Sequence, residues 1–267
     1  YKYPLPPLSE QQTIVEFLDK KTGQIDQSIA LLETQKTDLQ AYRQALITET
    51  VTKGLNPNAP MKDSGIQWIG QIPAGWKTSK LKYISKFING FAFASNLFSP
   101  DEGCKVIRIG DICQTIDYNS CIRAKIDASV IGQYRIHEND VLVAMSGATT
   151  GKSCLVNSIE EAYINQRVGI IRSPSYKFIH YMLNTPSFYQ YIMLNNAGSA
   201  QPNISSTAIE DYQIPLPPLS EQQAIVEYLD KKTGDIDAAL KQIETQIADL
   251  QAYRTALISE AVTGKID

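Results

Sequence analysis

Apolar residues recur at seven-residue intervals in two long stretches of the chain, and polar residues fill most positions between them. A heptad pattern kept over four or more repeats predicts long helices that pair along one seam. The alternative is a pair of ordinary amphipathic helices lying on a globular domain. We interpret the repeating positions as the seam of a coiled coil: Leu18, Ile25, Leu32, Leu39 and Leu46 in the first stretch, and Leu229, Ile236, Ile243, Leu250 and Leu257 in the second.

The two stretches are copies of one sequence. With a constant offset of 211, 35 of the 49 positions in residues 4–52 are identical to those in residues 215–263. Each copy begins with Pro-Pro, followed by a Ser and a Gln three residues apart, which is a capping-box signature. This predicts helices over residues 9–53 and 220–263. A glycine at position 23 and at 234 costs about 1 kcal/mol inside a helix, so a break there is the local alternative.

The two predicted helices enclose a unique middle segment, residues 54–219. Because a compact domain joins the end of one helix to the start of the other, we expect an antiparallel, intramolecular pairing. Hairpin geometry then predicts that facing residues have numbers adding up to about 270, which would bring Leu32 close to Leu240.

Short apolar runs alternate with turn residues in the middle segment. The predicted strands are residues 105–109, 140–145, 153–157 and 167–172, and the predicted helices are residues 177–183 and 187–195. The sequence therefore predicts an α+β fold: a domain with a mixed sheet, plus a long two-helix antiparallel coiled coil.

The charge is divided unevenly along the chain. The 267 residues have a formal net charge of −3, but residues 53–214 carry 15 basic and 12 acidic side chains, and the rest carries 10 basic and 16 acidic ones. A mildly basic middle segment permits a surface that faces phosphate without requiring one. No apolar run approaches the roughly 20 residues of a membrane span.

The sequence contains few residues or motifs of the kind that enzymes use for catalysis. The four cysteines are far apart and only two histidines exist, so we expect reduced thiols in a cytoplasmic protein and no metal site. The run from Gly147 to Ser153 has three residues between its glycines, where a phosphate-binding loop needs four, and a strand-like run follows it. We interpret it as a tight turn that exposes Thr149, Thr150 and Lys152. No methyltransferase, hydrolase or metalloprotease motif is present, which indicates a recognition protein rather than an enzyme.

Several motifs together resemble the DNA-specificity (S) subunit of type I restriction–modification systems. They occur in that family's order at residues 62–76, 138–143, 147–151, 162–166, 198–205 and 214–223. The family plan has two target-recognition domains, each followed by a long helix, whereas this sequence has one such domain and both helices. Residues 1–8 align with the tail of a preceding recognition domain. The sequence is then either cut within a longer subunit or a natural half-subunit that completes itself as a homodimer.

The resemblance implies a subunit without catalysis or a cofactor of its own. It would read one half of a bipartite site in double-stranded DNA and dock two modification subunits through its helices. Those subunits methylate adenine with S-adenosylmethionine, and the restriction subunits of the complex use ATP and Mg²⁺; no membrane is involved. The competing hypothesis is a coiled-coil oligomerisation adaptor with a protein-binding middle domain.

Reading base edges requires polar side chains on exposed turns. Each candidate has the alternative role of a solvated or turn-stabilising residue, and for Asn165, Gln166, Gln201 and Asn203 that alternative includes stabilising the family fold. The DNA-binding candidates are Ser95, Asn96, Arg108, Gln114, Thr149, Thr150, Lys152, Asn165, Gln166, Arg167, Gln201 and Asn203.

Overall fold

The chain forms two compact units. The computed structural model describes residues 6–113, 115–157, 160–196 and 202–265. We call residues 1–45 together with 230–267 the helical unit, and residues 46–229 the globular unit. Each unit is described by itself below.

Six α-helices and twelve β-strands are present in the described residues. The helices are α1 Leu8–Lys53, α2 Ala128–Ile131, α3 Tyr176–Leu183, α4 Pro186–Asn195, α5 Ser206–Glu210 and α6 Leu219–Val262. The strands are β1 Met61–Asp63, β2 Gln71–Pro73, β3 Lys77–Lys80, β4 Lys86–Asn89, β5 Phe98–Ser99, β6 Cys104–Ile107, β7 Ile122–Ala124, β8 Val141–Ala144, β9 Ser153–Leu155, β10 Ala162–Ile164, β11 Val168–Arg172 and β12 Gln213–Leu216.

The two long helices α1 and α6 are continuous, so the break considered at Gly23 and Gly234 does not occur. A glycine costs only about 1 kcal/mol, which is less than the seam on either side of it contributes. Both helices begin in the same way, because the side-chain amide of Gln11 donates to the Pro6 carbonyl (2.7 Å) and that of Gln222 to the Pro217 carbonyl (2.9 Å). The serines predicted as caps lie inside the first turn.

The helical unit is an antiparallel pair, as predicted. Between the described residues, ion pairs join its helices at three places: Lys36 with Glu244 (2.9 Å), Arg43 with Asp237 (2.9 Å) and Arg254 with Asp26 (3.0 Å). Apolar side chains are buried along one face of the pair. They are Ile25 on α1 and Ile236, Ile243, Ile247 and Leu257 on α6.

The predicted register of this pairing is wrong. In all three ion pairs the residue numbers add up to 280 rather than 270, so Leu32 is not level with Leu240 but about 12 Å from that level along the helix axis. The prediction assumed that α1 ends level with the start of α6. The first two turns of α6 instead pack within the globular unit, where Trp76 Nε1 donates to Glu221 Oε2 (2.8 Å) and Ile225 is fully buried.

The described part of the globular unit contains two four-stranded sheets and two short strand pairs. One sheet is antiparallel with the order β4-β11-β8-β9; the other has the order β10-β6-β7-β5, with β10 parallel to β6. The remaining pairs are β1 with β2 and β12 with β3. The predicted α+β fold with a mixed sheet is therefore confirmed. All four predicted strands and both predicted helices are present, as β6, β8, β9, β11, α3 and α4.

The core of the globular unit includes the adjoining ends of both long helices. Ile47 and Val51 from α1 and Ile225 and Leu229 from α6 are buried in the same cluster as Trp76. Burying a side chain of this size contributes about 1.5–3 kcal/mol, so these turns belong energetically to the globular unit. None of the helices described has both the length and the apolar character that crossing a membrane requires.

Candidate nucleic-acid interface

Four segments that are distant in sequence meet on one side of the globular unit. They are residues 107–111 from the end of β6 onward, 145–152 after β8, 165–167 after β10, and 202–204. We call these four segments the loop platform. Backbone hydrogen bonds join them: Asn165 N–H to the Ile107 carbonyl (2.9 Å), Met145 N–H to the Arg167 carbonyl (2.8 Å) and Gly147 N–H to the Pro202 carbonyl (3.0 Å). The platform is thus one connected surface rather than four independent loops.

The turn at residues 147–151 is built around two glycines in the left-handed region. Gly147 has φ 77° and Gly151 φ 85°, conformations that residues with a Cβ rarely adopt. A short 3₁₀ turn, Gly147–Thr149, is followed by strand β9 rather than by a helix. The turn is therefore not followed by a helix N-terminus that could bind phosphate, in agreement with the interpretation of this run as a tight turn.

The expectation that Thr150 is exposed on this turn is wrong, because its side chain is buried. Its hydroxyl donates to the Gly147 carbonyl (2.7 Å) and lies 3.2 Å from the Pro202 carbonyl. The side chain therefore fastens two segments of the platform together and is not available to DNA. Thr149 is half-buried, and its hydroxyl donates to the Ile109 carbonyl (3.2 Å), while Lys152 is exposed as predicted.

The segment 165–167 is held against the end of β4. Gln166 N–H donates to the Phe91 carbonyl (2.8 Å), and Gly90 lies so close that an added Cβ would stand 2.0 Å from the Asn165 carbonyl oxygen. Only a glycine fits there. Asn165 is half-buried as a result, whereas the side chain of Gln166 is exposed.

The platform carries an excess of positive charge. Arg108, Lys152 and Arg167 are exposed on it, and the single acidic residue of its four segments is Asp111, which accepts the Arg108 N–H (2.7 Å). Three cations and one carboxylate leave a charge of +2 on this face. Arg167 Nη1 donates to Asn203 Oδ1 (3.4 Å), which joins two of the predicted residues directly.

The structure does not bring every predicted residue to the platform. Ser95 and Asn96 are exposed in a 3₁₀ turn before β5, which is the far edge of the mixed sheet from β10. Three strand spacings separate those edges, or about 14 Å. Gln114 and Gln201 lie outside the described residues.

The globular unit has a second basic region, which the net charge of the whole middle segment does not reveal. Residues 64–100 contain Lys77, Lys80, Lys82 and Lys86 and no acidic residue, a signal that a local count would have found. Both Lys82 (2.7 Å) and Lys80 (3.2 Å) contact the same carboxylate, Asp211. Hydrogen bonds from Lys82 and then from Lys80 lower the pKa of Asp211, and the bond to Asp211 raises the pKa of Lys82.

Two of the four cysteines, Cys121 and Cys154, fit a structural role. All four are free thiols, and within the part of the chain that the structure describes no cluster of three or more potential metal ligands occurs. Burial raises the pKa of Cys154 to about 12 and that of Cys121 to about 11. At neutral pH these two side chains are protonated, buried members of the core.

Comparison with known proteins gives consistent matches. Residues 73–248 match the family model of the type I restriction modification DNA specificity domain. The chain is 26% identical over 279 residues to the type I restriction enzyme EcoBI specificity subunit of Escherichia coli, covering 98% of this chain and 58% of that protein. It is also 26% identical over 282 residues to the MjaVIII specificity subunit of Methanocaldococcus jannaschii, covering 99% and 62%.

Solved structures share the fold. One, from a study of complex assembly and conformational transition of the type I R-M system, has a TM-score of 0.75 at 21% identity, with 99% of this chain and 62% of that chain covered. The HsdS subunit from Thermoanaerobacter tengcongensis has a TM-score of 0.59 at 22% identity, with 99% and 61% covered. The chain spans about three fifths of the length of the curated relatives it matches. With two thirds of its length inside the family model, it belongs to the type I restriction modification DNA specificity domain family.

Proposed function

We propose that this chain recognises double-stranded DNA through the loop platform, as part of a type I restriction–modification specificity subunit. One observation carries the proposal: backbone hydrogen bonds join the four segments that present Arg108, Lys152, Gln166, Arg167 and Asn203. Base readout depends on donors and acceptors held in fixed positions, because ordering a loose loop costs free energy on binding. The charge of +2 on this face favours contact with the phosphate backbone.

The helical unit has a different role in this proposal. The two repeats with their tails carry 16 acidic and 10 basic side chains, which disfavours DNA phosphate along them. We propose that the helices set a distance and dock two modification subunits, while the platform reads one half of a bipartite site. The second half would be read by another recognition domain, either in a longer subunit or in a homodimer.

Catalysis belongs to the partners in this proposal. The chain itself would be non-catalytic, without a cofactor, and would act in the cytoplasm. Modification subunits would bring S-adenosylmethionine, and restriction subunits of the complex would bring ATP and Mg²⁺. The support is the absence of catalytic motifs from the sequence and the names of the relatives, which are specificity subunits.

A binding titration tests the DNA proposal. The methylated site is first located by sequencing modified adenines in the host genome. Fluorescence anisotropy then measures binding of the chain with its modification subunit to a duplex that carries the site and to a scrambled duplex, over a range of salt concentrations. We expect tighter binding to the site, and an affinity that falls linearly with salt on logarithmic axes.

Two matched triple variants locate the interface. Substituting Arg108, Lys152 and Arg167 by alanine removes the cations of the platform and should weaken site binding roughly 100-fold. The control variant replaces Lys62, Arg123 and Lys125, which lie on other segments, and should bind like the unsubstituted chain. Equal loss in both variants would contradict the platform assignment. If the unsubstituted complex fails to bind DNA at low salt and the chain self-associates through its helices, the adaptor hypothesis is favoured instead.

A further inference from the structure

Arg167 occupies a position whose backbone is held in place by the sheet. It lies in the three-residue connection between β10 and β11, where its carbonyl accepts the Met145 N–H (2.8 Å). The next residue, Val168, donates its N–H to the Asn165 carbonyl (2.8 Å). The backbone on both sides of the Arg167 side chain is therefore fixed by the sheet, although the side chain itself is exposed.

A chain of amide groups orients the Arg167 guanidinium. Asn196 Nδ2 donates to the Ile192 carbonyl at the end of α4 (2.8 Å), which holds the Asn196 side chain in place. Asn196 Oδ1 accepts the backbone N–H of Asn203 (2.8 Å), and Asn203 Oδ1 in turn accepts from Arg167 Nη1 (3.4 Å).

Asn203 is held on its other side as well. It forms an isolated bridge with Ser146, and the following residue, Ile204, donates its N–H to the Met145 carbonyl (2.9 Å). The group that anchors Arg167 is thus fixed by both backbone and side-chain hydrogen bonds.

The neutral anchor distinguishes Arg167 from three other arginines of the chain. Arg43, Arg172 and Arg254 each pair with a carboxylate, which neutralises their charge. Asn203 is neutral, so it orients the guanidinium without cancelling its charge. A guanidinium has five N–H donors, and the bond to Asn203 uses one of them. The remaining donors and the full positive charge are left for a ligand.

We propose that Arg167 determines sequence specificity by donating two hydrogen bonds to O6 and N7 of one guanine in the major groove, and that Asn203 is its positioning residue. This inference rests on the proposed DNA function. An exposed arginine whose guanidinium is oriented by a neutral acceptor is suited to this bidentate contact, which is the most common base-specific contact that proteins make. A contact with phosphate alone would need no such orientation.

Substitution combined with single-base-pair changes in the site tests this proposal. Binding and methylation rate are measured for the complex with its modification subunit, on a set of duplexes in which each base pair of the half-site is changed in turn. We expect Arg167→Ala to reduce affinity for the cognate site about 10- to 100-fold and to abolish discrimination at one G·C position alone. Arg167→Lys keeps the positive charge but not the paired N–H donors of the planar guanidinium, so it should also lose discrimination there.

Asn203→Ala should weaken discrimination at that same position by a smaller factor, with an unchanged dependence of affinity on salt. Arg123→Ala is the matched control, because Arg123 also has a neutral anchor, the Gly103 carbonyl, but lies outside the loop platform, and its loss should leave every base preference unchanged. Uniform weakening on all duplexes by Arg167→Ala, with a salt slope reduced by about one, would show a phosphate contact and overturn the proposal.

An Arg167→Ala complex with unchanged base preferences would likewise overturn it. If the unsubstituted complex shows no preference for any duplex, the proposed function itself fails. Thermal unfolding of each variant verifies that its fold is retained.

Discussion

Arg43 of α1 and Asp237 of α6 form an ion pair (2.9 Å), and the residues equivalent to them in the opposite repeats form a second one. The offset of 211 makes Arg254 equivalent to Arg43 and Asp26 equivalent to Asp237, and those two residues are also paired (3.0 Å). The same arginine of each repeat therefore binds the same aspartate of the other. The helical unit has an approximate twofold relationship between its helices, and this relationship comes directly from the repeated sequence.

Exchanging the charges of one such pair tests the register. Arg43→Asp alone places two carboxylates together, and Asp237→Arg alone places two cations together, so each should lower the free energy of unfolding by about 1 kcal/mol. The double exchange restores an opposite-charge pair and should recover most of the loss. Thermal unfolding followed by circular dichroism measures each variant.

The matched control for this exchange combines Arg43→Asp with Asp235→Arg. Asp235 is an exposed residue on the same helix, two positions from Asp237, so this combination should give no recovery. Recovery with Asp235→Arg, or none with Asp237→Arg, would mean that the helices pair in another register.

Gly90 should be intolerant of any side chain. An added Cβ would stand 2.0 Å from the Asn165 carbonyl oxygen, which is backbone and cannot rotate away. We expect Gly90→Ala to reduce the free energy of unfolding by about 3 kcal/mol, measured by urea denaturation. Gly75→Ala is the matched control, since nothing lies within 4 Å of its added Cβ, and it should change stability by less than about 1 kcal/mol. Similar losses in both would contradict the close approach.

Thr150 should contribute to stability through its hydroxyl rather than its methyl group. Thr150→Val preserves the shape of the side chain but removes the hydroxyl that donates to the Gly147 carbonyl. The carbonyl then loses this hydrogen bond, which should lower the free energy of unfolding by about 1–2 kcal/mol. Thr150→Ser retains the hydroxyl and should lose less. Urea denaturation compares the two variants, and a valine variant as stable as the unsubstituted chain would show that the hydroxyl does not fasten the platform.

The cysteines should differ sharply in reactivity. Cys113 is exposed, whereas Cys121 and Cys154 are buried with raised pKa values. An aromatic disulfide reagent at pH 8 should therefore modify Cys113 fastest and the half-buried Cys104 more slowly, and Cys113→Ser should remove the fast phase. The two buried thiols should react only after the chain is unfolded. Fast reaction of two or more thiols in Cys113→Ser would contradict this burial.

The same raised pKa values predict the direction of an alkaline stability change. A thiol whose pKa is raised in the folded state stays protonated there, while in the unfolded chain it ionises near its ordinary value of 9.0. The contribution of Cys121 is thus fully present below pH 9 and lost as the pH rises toward 11. Urea denaturation at several pH values should show that the free energy of unfolding falls more steeply between pH 9 and 11 for the unsubstituted chain than for Cys121→Ala.

The predicted strands and helices agree with the structure mainly where the signal is long or strongly apolar. β8 is a continuous apolar run buried on both faces, β11 is apolar and buried up to its last residue, and α4 begins at Thr185-Pro186, a helix start signal. Most strands of two or three residues, such as β5 and β10, carry too few positions for a pattern to be recognised, and of these short strands only β9 was predicted. They are strands only because a neighbouring strand supplies their hydrogen bonds.

Candidate residues were predicted from their type and from expected exposure, and the structure separated them. Arg108, Lys152 and Arg167 are exposed on the loop platform, whereas Thr150 is buried beneath it. A threonine in a turn has the same local sequence signal whether its hydroxyl faces water or a carbonyl from a segment 52 residues away. Local sequence contains no information about that distant partner.

The sequence by itself determined the two paired helices and the mixed α+β character of the middle segment, because helix periodicity and strand runs are properties of neighbouring residues. The tertiary structure alone decided the register, in which facing residue numbers add up to 280, since this depends on how many turns of α6 the globular unit buries. It also decided which turns meet to form the platform. Contacts between distant segments depend on how the whole sheet is ordered, and no local pattern encodes that order.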